Sequence, residues 1–446
     1  MHKAPLPFDA ALPPCCQRRW FSRASAFFVF APSFPHPSFP RPMPIVLAFS
    51  GGLDTSFCVP YLRETYDTSV HTVTVDTGGL STADREAVAD RADALGAEAH
   101  HLVEGRPELY ADHLSYLIKG NVLRGGVYPL CVGPERVVQA RAVARVAQDV
   151  GASRVAHGST GAGNDQVRFD VALRLMDEDL DILAPVRSLG LCREESTAFL
   201  EARGIAVPEA TTDYSINRGL WGTTIGGAET LTATHPLPAS AYPDTVPPIE
   251  APETPASLTL TFEDGLPIAV DDEALSGVAL VEALNARGAA HGIGRDIHVG
   301  DTILGIKGRI GVEAPAAHIL ITAHRELEKV VLSKWQQVHK QQLGAAYGRL
   351  LHEGQYFDPA MRDLEAFLDH SQSVVAGTVS VQLYKGRVQV QGVDSPHSLF
   401  DADTATYGEQ NALWDGRDAA GYTRLAAVPS LLAQKATGPA PKRGRG

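Results

Sequence analysis

Two regimes of hydrophobic patterning divide the chain. From Pro44 to about Pro208, strand signals alternate with stretches of helical period. "PIVLAF" (44–49) reads as a strand buried on both faces, and "VHTVTVD" (70–76), "AEAHHLV" (97–103), "SRVAHG" (153–158) and "LDILAPV" (180–186) read as further strands. Between them the pattern predicts a helix after residue 52 that Pro60 is placed to kink. A second helix opens on Ser81 with Asp84 three residues on, a capping-box spacing, and stops at Gly96. Others follow near 107–119, from Pro134 to Gly151, and over "REESTAFLEARG" (193–204). Five strands with helices between them predict an α/β fold, a parallel doubly wound sheet covered on both faces.

Beyond Tyr214 the period changes. "LTLTFEDGLPIAV" (258–270) and "VSVQLYKGRVQVQGV" (379–393) read as hairpins turning at Asp-Gly and Lys-Gly. A long amphipathic helix is expected over 320–343, its stripe of Leu327, Val331, Trp335 and Val338 serving either as core or as an oligomer contact. Residues 235–256, rich in proline, read as a loop. The divisions expected are 1–43, 44–208, a second α+β domain over 209–425, and a C-terminal tail, 426–446, that ends "GPAPKRGRG". Within the first, "APSFPHPSFPRP" (31–42) has proline too often for a helix or interior strand. Its basic residues and the apolar patch Ala24–Ala31 fit a targeting segment, but the patch is short and lacks a small-residue cleavage site. The stronger reading is a disordered or spurious extension ahead of Met43.

Composition narrows the classes. The chain has 446 residues, 44% hydrophobic and 20% charged, as in ordinary globular proteins, with no apolar run long enough to span a membrane. The net charge of −13 argues against a broad nucleic-acid footprint. Cys15, Cys16, Cys58, Cys131 and Cys192 form no CxxC pair, which points to a reducing, cytoplasmic setting and away from a zinc site.

Candidate chemistry concentrates in two strand-end clusters. "AFSGGLDTS" (48–56) follows the first strand with Ser50, Gly51, Gly52, Asp54, Thr55 and Ser56, more small polar residues than capping by Ser50 or Asp54 requires. Glycines let backbone N–H groups approach an anion, and the following helix adds its positive end. The P-loop pattern GxxxxGK[ST] is absent. Strand, S-G-G-x-D-[ST]-S, then helix is the order of pyrophosphatase-type loops, which hold the pyrophosphate of ATP. "AHGSTGAGNDQVRFD" (156–170) also follows a strand, with Ser159, Thr160, Asn164, Asp165 and Arg168. In an open parallel sheet ligands bind beyond the carboxyl ends of strands, so both clusters are expected to face one crevice.

These segments, with "YSINRGLWGTTIGG" (214–227), resemble the argininosuccinate synthase family from about residue 44 to 425. The resemblance implies an ATP-dependent carbon–nitrogen ligase joining citrulline and aspartate through citrullyl-AMP, with Mg²⁺ accompanying ATP. It implies a nucleotide-binding domain followed by a synthetase and multimerisation domain, a homotetramer, and no nucleic-acid or membrane partner. Ala48, Phe49, Ser50, Gly51, Gly52, Leu53, Asp54, Thr55 and Ser56 would cradle ATP, with Val75, Arg136 and Gly158 beside it. Thr160, Asn164 and Asp165 would receive aspartate. Tyr128, Asn164, Arg168, Ser215 and Thr224 would meet citrulline, although Tyr128 also reads as a core aromatic and Arg136 as an exposed residue at a helix start. No side chain is assigned as acid or base, and no protein-held metal is expected.

Three positions depart from the family pattern. Gly133 replaces a common serine, Gly300 a glutamate and Val312 a tyrosine, all on the citrulline side. Asp301 is the expected substitute for the glutamate, and an N-acylated citrulline is the alternative substrate. Other enzymes with this loop adenylate different oxygens, among them GMP, NAD⁺ and asparagine synthetases and tRNA-modifying enzymes. An amidotransferase of this kind needs a nucleophile, for which Cys131 is the candidate, while His157 has no evident acid partner in sequence.

Overall fold

The computed structural model describes residues 43–207, 214–401, 404 and 413–438. The expected N-terminal extension before Met43, the boundary at 208–209 and the terminal "PAPKRGRG" lie outside the described residues. The first unit opens with β1 (Ile45–Ala48), α1 (Leu53–Tyr66), β2 (Val70–Asp76), α2 (Thr82–Ala94) and β3 (Ala99–Glu104). Next come α3 (Arg106–Leu109), a π turn (Tyr110–Leu114), α4 (Ser115–Lys119) and α5 (Val132–Val150). It ends with β4 (Arg154–Ala156), α6 (Asp165–Met176), β5 (Asp181–Leu183), α7 (Pro185–Leu189) and α8 (Arg193–Glu201).

These strands form a parallel sheet in the order β3-β2-β1-β4-β5. The apolar run of β1 is explained by burial on both faces, whereas the edge strands β3 and β5 are partly exposed. Ile45 and Leu47 pack with Phe57 and Leu62 of α1 and Leu200 of α8, whereas Val46 packs with Val137 and Val138 of α5. The chain leaves β1 toward β2 on one side and later returns to β4 on the other, with Leu47 opposite Ala156. That reversal opens a crevice at the carboxyl ends of β1 and β4, where the two candidate loops emerge. The capping box forms as expected, Asp84 N donating to Ser81 Oγ and Ser81 N to Asp84 Oδ2. Pro60 is accommodated within α1.

The second unit continues with β6 (Tyr214–Gly219), β7 (Gly222–Gly227), β8 (Ala256–Glu263), β9 (Leu266–Val270), β10 (Glu273–Ala274) and α9 (Gly277–Ala290). Then follow β11 (Arg295–Asp301), β12 (Lys307–Glu313), α10 (Pro315–Val331), α11 (Lys334–His352) and α12 (Pro359–Gln372). β13 (Gly377–Tyr384), β14 (Arg387–Asp394) and α13 (Gly416–Thr437) complete it. The expected hairpins pair β8 with β9 and β13 with β14 in a five-stranded sheet, β10-β9-β8-β13-β14. A four-stranded antiparallel sheet, β11-β12-β7-β6, leans over the cleft. Leu220 N donates to Thr77 O at 2.7 Å, tying that sheet to the end of β2.

Two expectations are corrected. The single helix over 320–343 is two, because Ser333 caps α11 in a box with Gln336 and ends α10 at Val331. Leu327 and Val331 are therefore core, while Trp335 and Val338 are exposed. The tail expected from 426 is helical through Thr437 as part of α13, none of whose residues is buried.

Candidate active site

The turn after β1 is built by its own short side chains. Gly51 has φ +75, and a Cβ there would lie 3.3 Å from Val88 Cγ2 of α2, so both conformation and space favour glycine. Thr55 Oγ1 donates to Gly52 O at 3.2 Å and lies 3.2 Å from Ser50 Oγ. Ser56 Oγ donates to Gly51 O at 3.3 Å and accepts from Arg91 Nε at 3.1 Å. No side chain caps α1, whose N-cap is Gly52. The polar residues of this turn thus shape the loop and leave the helix end open for an anion. Asp54, on the rim, has a pKa raised by burial, with Arg193 partly opposing.

The loop after β4 closes on it. A Cβ at Gly158 would stand 2.9 Å from Thr55 Cγ2. His157, expected to lack an acid partner, is bonded to Asp170 Oδ1 at 2.8 Å, and its Nδ1 accepts from Ser159 N at 3.2 Å. The accepting Nδ1 places the ring proton on Nε2, so His157 holds the loop as a strand-end hydrogen-bonding residue. Asn164 Oδ1 accepts from Ile303 N at 2.8 Å.

Asp165 sits between two guanidiniums. Arg136 Nε donates to its Oδ2 at 2.9 Å and Arg168 Nη1 to its Oδ1 at 3.0 Å. Burial opposes the charge, but the two arginines outweigh it and hold the carboxyl below its ordinary range. Arg136, which the sequence left open as an exposed residue, is largely buried on α5. Arg168 is 4% exposed, and its Nε and Nη2 donate to His352 O at 3.1 and 3.0 Å. Its paired donors therefore fasten the end of α11 and do not stand open as a carboxylate fork.

The two loops and the overhanging sheet enclose one cleft of about 1050 Å³. Ala48, Phe49, Ser50, Gly51, Asp54, Thr55, Val75, Arg136 and Gly158 line it together with Thr160, Asn164, Asp165 and Arg168. Tyr128, Ser215, Thr224 and Asp301 line its far side. Gly52 and Leu53 instead border a smaller adjoining hollow, and Ser56 is buried beneath the turn. Asp301 is a poor substitute for a buried glutamate, since its carboxylate is half exposed and held by Lys307 Nζ at 2.6 Å. Val312 is buried opposite Thr224 on β7, outside the cleft.

Among the cleft residues that the sequence does not single out are Arg124, Glu135, His298 and His352. Glu135 is buried, which pushes its pKa up to about 8, with Arg136 partly opposing. His298 packs on Tyr128 with the rings tilted by 32° and 5.3 Å between centroids. Arg124 Nη1 contacts His352 Nε2, and its Nη2 donates to Asp301 O at 2.8 Å. His298 and His352 lie in no glycine-rich turn or motif, so only tertiary contact reveals them, whereas Arg124 heads the Gly125–Gly126 turn and Glu135 directly precedes Arg136. Cys131 is no nucleophile: it is buried against Trp221 O at 3.7 Å, and burial, reinforced by Glu135, raises its pKa well above the ordinary thiol value.

Comparison with known proteins agrees with this geometry. Residues 44–206 match the arginosuccinate synthase N-terminal HUP domain, and residues 214–433 match the arginosuccinate synthase C-terminal domain. The argininosuccinate synthase of Xanthomonas campestris is 40% identical over 400 residues, covering 87% of this chain and 97% of that relative. That of Methanocaldococcus jannaschii is 36% identical over 387 residues, again 87% and 97%. An NH3-dependent NAD synthetase from Campylobacter jejuni shares 16% identity at a TM-score of 0.27, over 36% of this chain and 65% of that one, a likeness too slight to argue from. With two family matches in sequence order spanning nearly all of the described residues, the chain belongs to the argininosuccinate synthase family, ATP-dependent ligases of arginine biosynthesis.

Proposed function

We propose that the cleft carries out the family's ligation of citrulline and aspartate in two displacements, with the residues at its two loops in distinct roles. In the first, the ureido oxygen attacks the α-phosphorus of ATP; a new O–P bond forms, the α–β bridge breaks, and pyrophosphate leaves citrullyl-AMP. In the second, the aspartate amine attacks the ureido carbon, the C–O bond to AMP breaks, and argininosuccinate and AMP depart with release of a proton. Both nucleophiles belong to substrates, so the protein's part is positioning and charge neutralisation.

The observation that carries this reading is that both loops line the same cleft, Gly158 packed against Thr55 where the phosphate turn becomes α1. The turn from Ala48 to Ser56 would hold the polyphosphate, with Val75, Arg136 and Gly158 along the nucleoside side. Thr160, Asn164 and Asp165 would receive aspartate, Asp165 offering its remaining lone pairs to the ammonium. Tyr128, Asn164, Ser215 and Thr224 would hold the ureido substrate, and Arg168 would act mainly by fixing Asp165 and the end of α11. Among the described residues no cluster of three or more His, Cys, Asp or Glu is arranged to hold a metal. Mg²⁺ would arrive with ATP, Asp54 being the carboxylate within the phosphate turn to share it, which suits an ion held by few carboxylates plus phosphates. Bound there, it supplies neutralisation of phosphate charge.

The proposed division is an ATP-binding domain over 44–208 and a synthetase and multimerisation domain over 209–425, supported by family matches that end at 206 and resume at 214. A homotetramer is supported by α13, which exposes Tyr422, Leu425, Leu431 and Leu432. Free cysteines 58, 131 and 192 favour the cytoplasm. The test is isotopic: with ¹⁸O in the ureido position, the label appears in AMP. Pyrophosphate release in steady state requires both amino acids. Label remaining outside AMP refutes the adenylated intermediate.

A further inference from the structure

The wall farthest from the phosphate turn carries an unusual charge balance. A free α-amino acid brings a carboxylate and an ammonium, and a closed site must answer both. The carboxylate has a partner: Arg124 lines the cleft and, among the described residues, makes no ion pair with any acid. Among the described residues of this wall, the ammonium meets no acid that lacks a cation already beside it. Asp165 is held by Arg136 and Arg168 at the aspartate side, and Asp301 turns to Lys307. Glu135, the remaining nearby acid, also lines the cleft with its Oε1 unpartnered, but it lies under Gly219 of β6 beside Arg136, and burial raises its pKa to about 8, so at neutral pH it offers little negative charge.

In place of an acid this wall presents an imidazole. His298 and Gly300 occupy alternate positions of β11, hence the same face. His298 is 7% exposed, and its Nε2 has no hydrogen-bond partner. A Cβ at residue 300 would lie 2.5 Å from that Nε2, so any side chain at 300 excludes the observed histidine. The missing side chain and the unpartnered ring are one arrangement. Burial, reinforced by Arg124 at its side, disfavours the ring as a cation, and a neutral imidazole offers one donor or one acceptor to an uncharged polar group.

We propose that the ureido substrate enters with its α-nitrogen acylated: the cleft takes an Nα-acyl citrulline, its carboxylate on Arg124 and its amide against His298 Nε2. This rests on the ligation reading above and names its substrate class. The amide carries no charge, so the acid the wall lacks is not needed, and the imidazole that fills the space over Gly300 is the group that meets it. The reacting ureido end is unchanged, so the two displacements proceed as before and yield an Nα-acyl argininosuccinate. A deacylation must follow wherever the product is to become arginine.

The experiment compares citrulline, N-acetylcitrulline and N-succinylcitrulline in aspartate-dependent pyrophosphate release by the full chain. One acylated substrate exceeds citrulline at least tenfold in kcat/KM, and the acetyl and succinyl arms tell whether a second carboxylate is read. Equal or better turnover of citrulline overturns the inference and leaves the ligation intact. Failure of all three overturns the ligation reading itself. The double variant His298→Ala with Gly300→Glu, checked for an unchanged melting profile, shifts preference at least tenfold toward citrulline; an unmoved ratio counts against the assignment. Independently, Arg124→Gln raises KM for the acylated substrate about tenfold with little change in kcat or in KM for ATP, and an unmoved KM refutes the carboxylate contact.

Discussion

Replacing Gly158 with alanine tests whether the two loops work as one unit. The backbone at 158 is in a region any residue adopts, so strain enters only through space. The added Cβ would lie 2.9 Å from Thr55 Cγ2, 3.2 Å from Thr55 N and 3.3 Å from Asp54 C. Carbon atoms settle at about 3.5–4.0 Å, so the loops must part by roughly 0.6–1 Å. Two of those three atoms are backbone and cannot rotate away. Overpacking of this kind costs about 1–3 kcal/mol, and in a chain this long it lowers the melting temperature by only a few degrees, about 2–6 °C. The activity loss is larger, because Thr55 Oγ1 is bonded to Gly52 O and lies against Ser50 Oγ, so its displacement passes into the phosphate turn. A misplacement of about 1 Å at a reacting group costs on the order of 10²-fold in rate. The measurement is kcat/KM for ATP in pyrophosphate release, beside thermal melting and beside Gly161→Ala. Residue 161 belongs to the same loop, but a Cβ there meets only Arg187 Cγ at 3.7 Å, an ordinary contact. The variant at 158 loses about 30- to 100-fold while that at 161 stays within about threefold. Equal losses, or wild-type kinetics at 158, refute the coupling.

Asp165→Asn leaves Arg136 and Arg168 facing one another without their shared counter-charge, so KM for aspartate rises at least about tenfold while KM for ATP moves less. Equal changes in both refute a specific role. Glu135→Gln reports on pH. Burial raises its folded pKa to about 8 from an ordinary 4.5, so the folded chain keeps a proton the unfolded chain releases. Stability from this group therefore falls as pH climbs from about 4.5 toward 8, by about 3 kcal/mol at pH 7, and the melting temperature of wild type drops relative to the variant across that window. Parallel melting curves from pH 5 to 8.5 refute it. Cys131→Ala retains kcat within about twofold, since a buried thiol bonded to a carbonyl does no chemistry; loss of all activity in a folded variant restores it as a nucleophile.

Sequence reading succeeded where one local segment does a whole job. Gly51 is legible because φ +75 and contact with Val88 leave little alternative, and the crevice is legible because a parallel sheet that reverses at β1 and β4 opens one there. It failed where a role is shared between distant residues. The resemblance sets Arg168 against citrulline, yet its Nε and Nη2 donors meet a carbonyl at residue 352, brought back on α11. The break in the long helix carried a signal that periodicity masked: "SKWQ" at 333–336 is a serine followed three residues later by glutamine, the spacing of a capping box, and the box forms. The citrulline side shows the same limit from the other direction. Taken alone, Gly300 reads as a loss, since the resemblance sets a glutamate there and this chain has no side chain at all. In the fold the space is occupied, because His298 reaches across it from two residues away and an acid side chain there would displace the ring. A substitution between neighbours on one face of a strand is thus a single change in shape and charge, and its consequence for the ligand follows from the pair.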